Sequence, residues 1–130
     1  MIPILVFLIA LVPLVILDAL WITVLMKSFY ASQFAGIGMA QPIRLWAGVL
    51  VWLLIAAGVV IFILPLAKGN VLHAALYGAL FGLILYGVYD LTNYAFIAAW
   101  PLKLVFVDIA WGAFLCGAVS AVTQWASTLR

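Results

Sequence analysis

Whatever carboxylate chemistry this chain performs within its apolar segments falls to three residues. Asp18, Asp90 and Asp108 are its only acidic residues, and each stands inside a long apolar run. An acid at the centre of a bilayer costs about 3 kcal/mol on insertion scales, so such groups normally face a bundle interior or a wet cavity. Polar and aromatic residues gather around all three. Tyr86, Tyr89, Thr92 and Asn93 surround Asp90; Trp21 and Trp111 each follow an aspartate by three positions; Lys103 is the nearest cation to Asp108. These ten residues are the candidate ligand-binding or proton-binding set.

In a water-poor site three carboxyls cannot all stay ionised without a counter-charge, and their protons would titrate as a coupled set. Shared protons, a bound cation or a basic group on a ligand would each answer that need. Lys103 lies five residues from Asp108, about 140° away around a helix, and is expected to snorkel to the surface. Carboxylates could also act as general acid and base, or bind a hard cation such as Mg²⁺. Other enzymatic routes are poorly served. His73 begins its apolar segment at the opposite end, so it completes no His/Asp zinc set. Ser120 and Cys116 lie roughly 12–18 Å along a helix from Asp108, without a partnering base. There is no glycine-rich phosphate loop. No cofactor and no metal site are expected from these residues, and the lone Cys116 allows no internal disulfide.

The elements that must position these groups are set by composition. Of the 130 residues, 72% are hydrophobic and 6% charged, against about a quarter charged in soluble domains. Lipid is the solvent, and the backbone must satisfy its own hydrogen bonds. Barrel strands would alternate in segments of about ten residues; these apolar runs exceed twenty without alternation, so helices are expected. The predicted fold is all-α: a four-helix transmembrane bundle in one integral membrane domain over 1–130. Its spans cover about 2–26, 45–66, 71–97 and 101–125. The first run lacks a basic leader and is too long for a signal peptide, so it reads as a span. Pro13 should kink it or loosen a turn. Between the first two spans, Phe29, Tyr30, Phe34 and Ile37 interleave with Ser28, Ser32 and Gln33, which suits a short interfacial segment ended by Gly36 and Gly38. Trp46, Trp100 and Trp125 sit near span ends, where indoles favour the headgroup region.

Asp18 is eight residues before Met26, Asp90 seven before Ile97, and Asp108 seven after Pro101. With alternating spans, each acid lies roughly 10–12 Å beneath the same membrane face. Two helical stripes lead toward them. Ala74, Gly78, Gly82, Tyr86 and Asp90 recur every fourth residue, with a GxxxG pair that permits close approach; Asp108, Gly112, Cys116, Ser120 and Gln124 do the same in the last span. A short internal echo pairs Asp18-Ala-Leu-Trp21 with Asp108-Ile-Ala-Trp111. Lys27, Arg44 and Lys103 fall on one face, Lys68, Arg130 and the amino group on the other. The positive-inside rule then gives only a slight preference for both termini outside.

The segments Tyr86-Gly87-Val88-Tyr89-Asp90-Leu91-Thr92-Asn93, Trp100-Pro101-Leu102-Lys103 and Val107-Asp108-Ile109-Ala110-Trp111-Gly112 resemble the signature of a bacterial family of four-span membrane proteins, catalogued as a domain of unknown function. The resemblance extends over the whole chain. It implies that the Tyr-Asp-Leu-Thr-Asn and Asp-Ile-Ala-Trp segments are family hallmarks, and it brings no activity.

On the residues alone, three classes remain open. The favoured expectation is binding or transport of a cationic or amphipathic small molecule, coupled to protons; small multidrug-resistance transporters are similar in architecture only, with no motif shared. A membrane-embedded lipid-processing enzyme comes second, and a structural subunit of a membrane assembly third. The expected setting is a bacterial inner membrane, spanned several times. Membrane lipid and a small ligand are the expected partners. A homodimer is compatible with the balanced charge, and a net charge of +2 gives no footing for nucleic acid.

Overall fold

The computed structural model describes residues 2–129. Four helices are long and apolar enough to cross a membrane: Pro3–Leu25, Leu45–Ala67, Val71–Phe96 and Leu102–Thr128. Each boundary falls within three residues of the sequence expectation. Among the described residues there is no strand. Two positive charges counted for orientation, Arg130 and the amino group of Met1, lie outside the described residues.

The first span is α1 (Pro3–Leu20) followed by a π-helical turn, Trp21–Leu25. Pro3 starts α1, where its missing N–H breaks no bond. The helix continues through Pro13; the wider turn comes later. There the Thr23 hydroxyl donates to the Ala19 carbonyl, competing with the ordinary backbone ladder, and the Met26 N–H reaches back five residues to Trp21. The short helix α2 (Lys27–Phe34) follows, and Gly38 at φ 91° turns the chain away.

The second span comprises α3 (Leu45–Gly58), a second π-helical stretch Val59–Ile63, and α4 (Leu64–Ala67). Pro65 supplies the reason for the π stretch, because its ring would clash with the carbonyl four residues back. Lys68 and Gly69 then adopt positive φ, ending the helix. Asn70 caps α5 (Val71–Phe96), its side chain accepting the His73 N–H at 2.9 Å. After a tight turn through Trp100, α6 (Leu102–Thr128) begins behind Pro101.

The fourth span is the most buried of the four, and the others arrange around it. Ala10 and Leu14 of α1, Ile55 and Ala56 of α3, Val59, and Trp111, Leu115, Cys116 and Val119 of α6 form one apolar core. The closest pairing is α5 against α6. A Cβ on Gly78 would collide with Ser120, one on Gly82 would fall on the backbone carbonyl of Gly112, and one on Gly112 would enter the Tyr86 ring. The two small-residue stripes therefore mesh as an antiparallel zipper: Gly78 against Ser120, Gly82 between Gly112 and Cys116, Tyr86 across Gly112. Continued by one turn, that register brings Asp90 opposite Asp108.

Candidate functional site

Asp18 follows Ala10 and Leu14 down the buried face of α1. Both its carboxyl oxygens are taken. Trp52 Nε1 donates to Oδ2 at 2.8 Å, and Trp111 Nε1 donates to Oδ1 at 2.9 Å. Indole nitrogens only donate and an ionised carboxyl only accepts, so the three groups satisfy one another. Trp52 is absent from the sequence-derived set. Its signal was its depth: it stands well inside the second span, where headgroup preference does not put a tryptophan.

The Asp-x-x-Trp echo proves to be reciprocal. Trp21 and Trp111 stack with centroids 4.1 Å apart and planes 2° from parallel. Trp111 bonds the aspartate of the other motif directly. Trp21 reaches Asp108 through an intermediary: its Nε1 donates to the Tyr30 hydroxyl at 3.0 Å, and that hydroxyl donates to Asp108 Oδ1 at 2.8 Å. Burial pushes the Tyr30 hydroxyl above its ordinary value; the Trp21 indole opposes the rise, and the nearby Asp108 charge adds to it. The donated proton therefore stays on Tyr30 through neutral pH. Tyr30 was legible only as part of an amphipathic stretch.

Asp90 has a different environment. It is 0% exposed, and neither carboxyl oxygen has a hydrogen-bond partner. Its carboxyl lies against those of Asp108 and the Trp100 indole, whose Nε1 is also buried and unpartnered. Trp100 itself is only 6% exposed. Near its span end, it is covered by α2 and the turn after it: Phe29, Tyr30, Phe34 and Ile37 pack over Trp100, Leu104 and Val105. Trp46 and Trp125 remain exposed.

The other candidates divide. Tyr86 lies across Gly112 and against the apolar core. Tyr89 is largely exposed, but its ring meets Trp100 edge-on at 5.8 Å. Asn93 is half-buried one turn beyond Asp90. Thr92 faces outward, since two residues along a helix is about 200° around it; it does not join the cluster. Lys103 is exposed and holds its Nζ 5.8 Å from the centre of the Phe29 ring. His73 and Cys116 stay apart from the acids, the former exposed at the start of α5 and the latter buried in the core.

The three acids thus occupy two hydrogen-bonding environments linked through the Trp21–Trp111 stack and Tyr30. Asp18 is held by two indoles, while Asp90 and Asp108 face each other beneath α2. Among the described residues no group of three or more His, Cys, Asp or Glu is placed to hold a metal ion. What the pair can do is accept: it offers carboxylate oxygens to a proton or to a positively charged group, behind a wall of aromatic rings.

Residues 3–125 match the model of a family described as "Predicted membrane protein (DUF2177)". No curated protein and no solved structure matches the chain.

Proposed function

The chain belongs to this family of multi-pass membrane proteins of unknown function, and we propose that it binds a cationic or amphipathic small molecule in exchange for a proton at the Asp90–Asp108 pair. One observation carries the reading: Asp90 is fully withdrawn from solvent, has no partner for either oxygen, and faces a second carboxyl. A buried charge left unpaired is costly. The pair therefore calls for a proton between its members or a cation in its place, and those two occupants exclude each other. That competition is the physical basis of exchange.

The groups facing the pair are consistent with it. Tyr30 of α2 bonds Asp108, Tyr86 and Tyr89 of α5 flank it, and Asp18 of α1 is separately hydrogen-bonded by its two indoles. Lys103 of α6 turns to Phe29. No cation among the described residues pre-empts the site. The proposed setting is a bacterial inner membrane, supported by helical spans rather than the barrel strands of an outer membrane.

The test is equilibrium binding of tetraphenylphosphonium to the purified protein in detergent, from pH 5 to 8. Affinity should weaken as protons compete at lower pH. Asp90→Asn should lower it by about tenfold, equivalent to about 1.4 kcal/mol, and remove the pH dependence, with the unfolding transition unmoved. An unchanged affinity in a folded variant overturns the proposal.

A further inference from the structure

We infer that α2 is a hinged lid over the Asp90–Asp108 pair, latched shut by the Tyr30 hydroxyl; the inference rests on the exchange reading above and supplies its gate. The need for a gate comes from burial. Asp90 is 0% exposed, so nothing exchanges there until a neighbouring element moves. Three of the four elements around the pair are held. Helices α5 and α6 meet backbone to backbone, with Gly82 against the Gly112 carbonyl, and packing that close resists separation. Helix α1 is fixed in the core through Ala10 and Leu14, and by the two indole bonds on Asp18.

The fourth element is built as a separate body. Helix α2 has no buried residue, and it begins at Met26, whose φ of −122° and ψ of 18° break the helix before it. At the other end Gly38 turns at φ 91°, and residues 38–44 carry no helix. Seven extended residues reach up to ~23 Å, so the link to the second span does not pin α2 in place. Met26 and Gly38 are the points where a change in backbone angle would swing the helix as a unit.

What holds the lid is one hydrogen-bonding node. Ser32 bonds within α2, to the Phe29 carbonyl. Among the described residues, the side-chain hydrogen bonds from α2 to other elements all run through Tyr30; its remaining contacts with α6 and the turn before it are apolar and aromatic. The node has a direction. Trp21 Nε1 can only donate, so it occupies the acceptor side of the Tyr30 oxygen and turns the phenolic hydrogen toward Asp108. The latch thus closes on a carboxyl that an arriving cation would engage. Cation and hydroxyl compete for the same oxygens, so occupancy releases the helix. The latched fraction of the protein cannot bind, and apparent affinity falls in proportion.

Two thiols test this in the full chain in dodecyl maltoside. Val105→Cys places a side chain of similar size beneath α2, at a position 1% exposed. The native Cys116, buried in the core formed with α1 and α3, is the reference that no lid covers. Labelling by N-ethylmaleimide, read by peptide mass spectrometry, should be slow at both. Tyr30→Phe keeps the ring and removes the latch. It should speed labelling at Val105→Cys about tenfold, the equivalent of about 1.4 kcal/mol, and leave Cys116 protected. Trp21→Phe, which frees the phenolic hydrogen to turn, should act in the same direction by less. Tetraphenylphosphonium should bind Tyr30→Phe faster and more tightly, because no fraction is latched against it. A weaker affinity would make Tyr30 a ligand contact and overturn the latch. So would unchanged labelling at Val105→Cys in both variants with Cys116 still protected. If Tyr30→Phe exposes Cys116 as well, it has lost the fold, and Trp21→Phe decides. If labelling responds as expected but tetraphenylphosphonium affinity is indifferent to Asp90→Asn, the lid stands and the exchange reading falls.

Discussion

The indoles aimed at Asp18 are donors without acceptor capacity, so each bond serves both ends. Trp52→Phe would leave Asp18 Oδ2 without its donor while keeping an aromatic ring in place. A buried acceptor stripped of its partner costs about 1–3 kcal/mol, and denaturation in mixed micelles should show a loss of that size. No loss would mean that the 2.8 Å contact does not hold the first two spans together. Asp90 is the opposite case: with no bond to lose, its Asn variant should fold as the wild type does. At this scale the sequence was half legible. An acid in an apolar run announces itself because its cost is intrinsic to the residue. Which donor answers it depends on how neighbouring helices are rotated, so Trp52, Tyr30 and Trp100 emerged only from the structure. Thr92, close in sequence to Asp90, was lost for the same reason.

Between α5 and α6 the backbones touch where side chains are smallest, and the acid pair inherits its position from that meshing. A methyl on Gly82 would press on the Gly112 carbonyl, a backbone atom that cannot swing aside. Overpacking of this kind costs about 1–3 kcal/mol. Gly82→Ala should therefore lower the unfolding midpoint, whereas Gly87→Ala, with open space around it, should not. Equal effects would argue that helix propensity rather than contact governs the two sites. The stripes of small residues could be read directly from four-residue spacing. The π-helical turns could not, because they arise from a competition between Thr23 or Pro65 and the local ladder whose outcome no hydropathy pattern records. Pro13 shows the converse: a breaker by residue type, it is absorbed by a helix that continues past it.

As a whole, the molecule presents large apolar side chains outward along every span and buries Asp18, Asp90, Ser120, Thr123 and Gln124 inside. Composition alone was enough to read this arrangement, since lipid permits few ways of hiding a backbone. Placing α2 was harder. Its amphipathic pattern marked an interfacial segment, but not the fact that it roofs the acids. The stacked pair Trp21 and Trp111 joins the first and last spans at 4.1 Å, and that closeness has an optical consequence. Two parallel indoles at such a separation share their electronic excitation, so near-ultraviolet circular dichroism should contain a coupled signal that Trp21→Phe and Trp111→Phe each remove in full, rather than by half. Its amplitude, followed while ligand is added, would report whether these two helices shift against each other as the site fills, with no label attached.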